Sequence, residues 1–252
     1  MRATDENTGA PLWARDLRPP RISVCIVVFN GRALISRALD SVLDQKCEHA
    51  ELLVVDGGST DGTLEVLDRY AGRIAKSVSA PDSGIYDAMN KACALAQGDW
   101  LIFLGCDDVL LDCLATVAEK LRDPAAVYYG NVIWRSTGRV YGGKFSKYRL
   151  MQSNICHQSI FYPRQVYAST VYNLKYRYLA DYEYNIKLIG RGVRFEFIDV
   201  DIALYNDAGA SMSGDPAFET DRLGLIRDNF GRPWEALKRL RNLAVCAIKG
   251  PA

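Results

Sequence analysis

The chain has 252 residues, 49% of them apolar and 24% charged, which suits one large α/β domain or two small ones. A formal net charge of +1 removes the global electrostatic case for nucleic-acid binding. None of the seven cysteines has CxxC spacing, which argues against a zinc or thioredoxin-type site, and their odd number favours a reducing compartment.

Residues 1–20 hold Asp5, Glu6, Arg15 and Asp16 and no apolar core, so they read as a flexible tail rather than a signal peptide. No window approaches the ~20 apolar residues that span a bilayer. A cytoplasmic protein is the expectation.

Ile22 to Phe29 is a near-continuous β-branched run, the pattern of a strand buried on both faces. Asn30 and Gly31 end it, and residues 33–43 carry apolar side chains at helical spacing. A second strand is predicted over 51–55, broken by the polar, glycine-rich run from Asp56 to Gly62, and a helix over 63–70. A weaker strand over 74–79 precedes a helix over 85–96, for which Gly98 is the expected C-cap. Residues 100–104 form the fourth strand and run into Gly105, Cys106, Asp107 and Asp108. Alternating strands and helices predict an α/β fold, a mostly parallel doubly wound sheet, in which ligands bind beyond the carboxyl ends of the strands. Phe29, Asn30, Asp56, Asp107 and Asp108 all fall at those ends.

The second half is richer in aromatic residues. Residues 127–134 and 139–145 read as antiparallel strands or a flap, 159–162 as a short strand, 180–190 as a helix and 193–204 as a strand. Residues 218–246 read as helical, with Lys238, Arg239, Arg241 and Lys249 on the last part. That basic stretch is either a solvated helix face or a surface that rests on an anionic membrane. The polar run 206–213 is either a lid or a plain surface loop.

Neither a GxGxxG turn nor a P-loop follows the first strand, so dinucleotide dehydrogenases and P-loop enzymes lack support. Nucleotide chemistry remains open through other groups. A carboxylate such as Asp56 accepts from a base N–H or a ribose hydroxyl, and Phe29 offers a face for stacking. Asp107 and Asp108 supply hard oxygen ligands for a divalent cation that would clamp a diphosphate. The plain structural alternatives are a capping Asp56, and a solvated turn at Asp107 and Asp108 that starts a helix near Leu110.

Ile26–Asn30, Val55–Thr63, Asp82–Lys91, Gly98–Asp108, His157–Phe161 and Leu179–Tyr184, in this order and spacing, resemble family 2 glycosyltransferases over about residues 21–212. Within that family the chain is similar to bacterial enzymes that build cell-surface polysaccharides and glycolipids. The resemblance implies a GT-A fold and an inverting reaction. It implies a nucleotide-diphosphate sugar donor, a UDP-sugar being the commonest class, a glycan or lipid-linked acceptor, and Mn²⁺ or Mg²⁺. By it, Asp56 binds the base beside Phe29 and Asn30, with Asp82 and Asp87 reaching the donor. Asp107 closes the metal-binding DxD motif, with Asp108 as a further carboxylate and Gly105 in place of the first Asp. Asp181 holds the position of the general base, with Glu183 the nearest substitute. His157 and Gln158 lie toward the diphosphate or the acceptor, although a lone histidine is as readily structural. The implied organisation is a tail (1–20), a catalytic domain (21–215) and a C-terminal helical extension (216–252). Two other functions compete: a silent nucleotide- or carbohydrate-binding subunit, which Gly105 keeps open although Asp107 and Asp181 are both present, and a sugar nucleotidyltransferase, whose glycine- and Lys/Arg-rich phosphate loop is too sparse here.

Overall fold

A computed structural model describes residues 21–208 and 214–249; the predicted tail, and most of the predicted lid, lie outside the described residues. Strand β1 (Ile22–Val28) is buried along its whole length. It lies between β2 (Ala50–Asp56) and β4 (Trp100–Gly105), parallel to both, and β3 (Lys76–Ser79) extends the sheet beyond β2. The crossovers are α1 (Ile35–Leu43), α2 (Thr63–Asp68) and α3 (Ile85–Leu95). In α1 the buried residues are Ile35, Ala38, Leu39 and Val42, one apolar stripe at helical spacing.

The pleat of β1 divides its side chains between two cores. Ile22, Val24, Ile26 and Val28 pack on one face with Ile35 and Leu39. Cys25 and Val27 face the other, where Tyr86 and Met89 of α3 meet Tyr162 and Tyr184. Covering both faces is what a parallel sheet requires.

The remaining elements are β5 (Val109–Leu110), α4 (Leu114–Ala118), β6 (Val127–Trp134), β7 (Val140–Tyr141), α5 (Lys147–Leu150), a 3₁₀ turn (His157–Ser159), β8 (Ile160–Pro163), α6 (Gln165–Ser169), α7 (Ala180–Gly190), β9 (Phe195–Tyr205), α8 (Pro216–Phe230) and α9 (Arg232–Lys249). They make the sheet mixed, in the order β3-β2-β1-β4-β8-β6-β9-β5, with β7 beside β6. Strand β8 is antiparallel to both β4 and β6, whereas β6 and β9 run parallel.

Several expectations change. Leu110 starts no helix: Val109 and Leu110 pair with Leu204 and Ala203, and the helix waits until Leu114. Residues 139–145 yield only the two-residue β7. The long C-terminal helix is two helices, broken at Gly231, whose φ of 96° suits glycine. Gly98 is no C-cap. A Cβ there would fall 2.6 Å from the Ser23 backbone nitrogen, so it is glycine because the chain passes against β1. Register places Val28 opposite Asp56 and Val27 opposite Gly105, which brings the carboxyl ends of β1, β2 and β4 to one edge.

Candidate active site

At that edge lies a cavity of about 440 Å³, a size suited to a small organic ligand. Phe29, just past β1, stands in its wall with 62% of its surface exposed. Asp82, Asp107, Asp108, His157 and Gln158 share the wall, and so do Arg177 and Tyr178, which the sequence did not single out, and Asn206, the first residue of the polar run 206–213.

Asp56 is elsewhere. It is fully buried, and its Oδ2 accepts from the amides of Gly58 (3.0 Å) and Ser59 (2.9 Å) and from the Ser79 hydroxyl (2.6 Å). The Ser59 hydroxyl donates to Oδ1. Burial pushes this carboxyl up, but the Ser59 and Ser79 hydroxyls and the Ser59 and Gly58 amides outweigh it and hold it below the usual range. Fully buried and held by these four donors, Asp56 shapes the 57–62 loop and does not line the cavity. Asp82 does. Its Oδ1 accepts from the Gly84 amide (2.9 Å), and its Oδ2 lies over Gly57, where a Cβ would come within 2.5 Å.

Asn30 and Asp87 also stand outside the wall. Asn30 takes a left-handed backbone (φ 50°), and its side-chain oxygen accepts from the Thr60 amide (2.9 Å), tying the end of β1 to the next loop. Asp87, in the first turn of α3, accepts from the Ser83 amide (3.0 Å) and pairs with Lys91 (3.5 Å). Both have the local roles that these residue types perform at turns and helix starts.

The acidic turn after β4 splits into two roles. Asp107 Oδ2 accepts from the Asn206 side chain (2.7 Å). Asp108 is buried: Oδ1 accepts from the Asn206 amide (3.0 Å), and Oδ2 from the Gly105 amide (3.0 Å) and the Gln158 side chain (2.9 Å). Burial raises the Asp108 carboxyl, partly offset by the Asn206 amide. Gln158 therefore supports Asp108, which in turn braces the loop. A Cβ at Gly105 would fall 2.7 Å from Asp107 Oδ1 and 3.0 Å from Asp108 Oδ2, so glycine leaves the space that the two carboxylates occupy. Among the described residues no group of three or more His, Cys, Asp or Glu could form an all-protein metal cage. One carboxylate beside a ligand cavity still fits a hard cation that completes its shell with phosphate oxygens and water. Burial and the neighbouring Asp107 and Asp108 push the Cys106 thiol up to about 12, so it is no nucleophile at neutral pH.

Asp181 opens α7 one layer behind the wall, 4% exposed. Its Oδ2 accepts from the Asn154 side chain (2.7 Å), which Asn185 holds through Asn154 Oδ1 (2.9 Å). The Tyr86 hydroxyl lies 2.7 Å from Asp181 Oδ1 and 2.8 Å from the Tyr178 carbonyl. Tyr86 thus ties α3 to Asp181. His157 Nδ1 is 3.6 Å from Asp181 Oδ2, and its buried Nε2 has no hydrogen-bond partner among the described residues. Glu183 is buried on another face of α7, paired with Lys187, and does not approach the cavity. No local signal marks Asn154 or Arg177, and Asn206 is marked only as the first residue of the polar run 206–213. Arg177 is the one Lys or Arg among the described residues of the wall, its guanidinium 5.4 Å from the Tyr178 ring.

The geometry joins an exposed aromatic face, outward-facing carboxylates, one cation and a recessed carboxylate at the end of a mixed α/β sheet. Comparison with known proteins agrees with it. The family model described as glycosyl transferase family 2 matches residues 23–183. A PGL/p-HBAD biosynthesis glycosyltransferase of Mycobacterium bovis is 41% identical over 200 residues, 75% of this chain and 78% of that one. Pasteurella multocida hyaluronan synthase is 30% identical over 68% of this chain and 19% of its own length. Among solved structures, Staphylococcus aureus TarS with UDP-GlcNAc superposes with a TM-score of 0.65 at 20% identity, covering 82% of this chain and 64% of that one. Pyrobaculum calidifontis mannosyltransferase with GDP-Man and Mn²⁺ superposes at 0.61 and 20% identity, covering 95% and 81%. The fold is GT-A-like, and the chain is a glycosyltransferase that belongs to glycosyl transferase family 2.

Proposed function

We propose that the chain transfers a sugar, with inversion, from a nucleoside diphosphate sugar to a hydroxyl of a glycan or lipid-linked acceptor in cell-surface biosynthesis. The observation that carries the reading is the cavity wall, where Phe29, Asp82, Asp107 and Arg177 meet at the carboxyl ends of the strands. A relative named for glycolipid biosynthesis supports the acceptor class, and fold neighbours solved with UDP-GlcNAc and GDP-Man support the donor class, with a UDP-sugar the first candidate. Residues 21–215 form the catalytic unit, and the C-terminal helices extend it.

Phe29 stacks on the base, and Asp82 accepts from its N–H edge. Asp107 would hold the divalent cation, Mn²⁺ or Mg²⁺, which would supply positive charge to offset that on the departing diphosphate. Arg177 adds a fixed positive charge on the same wall. Asp181 is the general base. Its two oxygens accept from Asn154 and Tyr86, which orient the carboxyl group and leave further lone pairs for the proton of the acceptor hydroxyl. That hydroxyl attacks the anomeric carbon from the side opposite the diphosphate, the bond to the diphosphate breaks, and configuration inverts. A Cβ at Gly105 would meet the carboxylate oxygens of Asp107 and Asp108 where they now stand, so the glycine goes with a formed acidic turn and does not by itself favour a silent subunit.

The test incubates purified protein with UDP-, GDP- and dTDP-sugars, Mn²⁺ and aryl or lipid-linked glycan acceptors. Nucleoside diphosphate release is measured, and the product anomer is read by NMR. Acceptor-dependent release with inverted configuration is expected. A retained anomer, or no release with any donor, would overturn the reading.

A further inference from the structure

Helix α9 wears its apolar face outward. Pro233, Ala236, Leu237, Leu240, Leu243 and Ala244 recur every three or four residues, so they form one stripe along the helix, and all six are exposed. Leu240 is 65% and Leu243 68% exposed. The polar side chain Lys238 does the reverse: it is buried, with its ammonium donating to Gln152 Oε1 (3.0 Å). A helix that settles against its own protein core would show the opposite arrangement.

Cations rim the stripe. Arg232 and Arg239 lie on one flank and Arg241 on the other, against one acid in the turn, Glu235, which pairs with Arg239. Beside them α5 adds Lys147 and the 45%-exposed Tyr148, whose ring lies 5.9 Å from the Arg241 guanidinium. Leucines flanked by arginine, lysine and tyrosine match a lipid interface: acyl chains take the leucines, anionic headgroups the cations, and the headgroup zone the tyrosine. A second copy of the chain fits less well, because a two-fold contact would bring the same arginines together.

We propose that α9, with Lys147 and Tyr148, lies in the plane of an anionic membrane surface and docks the protein there. The placement has a consequence for the site. Gln152, on which Lys238 rests, is two residues from Asn154, the side chain that holds Asp181. The docked face therefore backs directly onto the segment that positions the acceptor-side carboxylate, where a lipid-linked acceptor would arrive.

Flotation of the full chain with vesicles tests this without any turnover. Binding to vesicles of equal parts phosphatidylcholine and phosphatidylglycerol is expected, at least about tenfold tighter than to phosphatidylcholine alone, and weakened by added salt. Leu240→Asp with Leu243→Asp should abolish it while leaving the melting temperature unchanged, since both side chains are exposed. Arg239→Gln with Arg241→Gln should remove the preference for phosphatidylglycerol. Absence of wild-type binding, or binding indifferent to the leucine substitutions, would overturn the proposal. So would a wild-type dimer in sedimentation that the leucine substitutions dissolve while vesicle binding is absent. None of these outcomes bears on glycosyl transfer itself, which the donor assay reads separately.

Discussion

Asp181→Asn separates chemistry from structure in this site. In the wild type the carboxylate accepts from Asn154, and the Tyr86 hydroxyl lies between Asp181 and the Tyr178 carbonyl. An asparagine can keep its oxygen toward Asn154 and turn its amide toward the Tyr86 oxygen, while Tyr86 gives its own proton to the Tyr178 carbonyl. The Asn154 and Tyr86 donors both keep an acceptor and one N–H of the new amide gains none, so the loss should be at least about 1 kcal/mol, two charge-assisted bonds also becoming neutral ones. For a chain of this size that is a fall of about 2–4 °C in melting temperature. Asp181→Ala instead strands the Asn154 amide and should cost a further ~1–3 kcal/mol. Removing a general base should lower kcat by about 10²–10⁴. Turnover is followed by nucleoside diphosphate release, folding by thermal unfolding, and donor-site integrity by nucleotide affinity, which should stay unchanged. Turnover within about threefold of wild type would refute the base assignment.

Three further substitutions probe the donor side and its scaffold. Phe29→Ala should weaken nucleoside diphosphate binding by about 1–3 kcal/mol, read by calorimetry, without changing stability because the ring is largely exposed. Gly105→Ala forces a Cβ toward Asp107 Oδ1 at 2.7 Å and should abolish the Mn²⁺-dependent part of nucleotide affinity; unchanged metal dependence would contradict the role of Asp107. Asp56→Asn should destabilise the chain by about 3 kcal/mol near neutral pH while hardly changing the contacts of the cavity wall. The folded-state pKa of Asp56 is lowered, so its stabilisation is full above the unfolded value and lost as pH falls through the folded one. The stability gap between wild type and Asp56→Asn should therefore close below about pH 4, and a gap persisting unchanged in stronger acid would count against it.

Local sequence carried the parallel half of the fold well. The runs at β1, β2 and β4 are short, apolar and separated by helical patterns, and each became a strand within a residue or two of its predicted ends. Pairing order is a long-range property, so the antiparallel insertion of β8 and the parallel β6–β9 pair were not legible. The same division runs through the site. Phe29, Asp82 and Asp107 were readable because strand ends and turn acids face the cavity. Asp56, Asp108 and Gln158 belong to the same motifs, yet their acceptors and donors are consumed within the loops, a matter of side-chain direction that spacing does not encode. Glu183 is two positions from Asp181, which on a helix turns it to another face. Asn154 arrives from a segment with no motif of its own, and Arg177 lies just before the motif that carries Asp181.

The central claim is that the cavity at Phe29, Asp82 and Asp107 binds a sugar nucleotide with a divalent metal. Its most direct test is a thermal-shift titration of the chain with UDP, GDP, dTDP and CDP, each with and without Mn²⁺, alongside Asp107→Ala and Asp82→Asn. Binding to the native state raises the melting temperature by mass action, about 2.7 kcal/mol at a hundredfold excess over Kd. A shift is expected for one nucleotide, UDP first, that requires Mn²⁺, vanishes in Asp107→Ala and weakens in Asp82→Asn. A shift for none of the four, or one untouched by both substitutions, would contradict it.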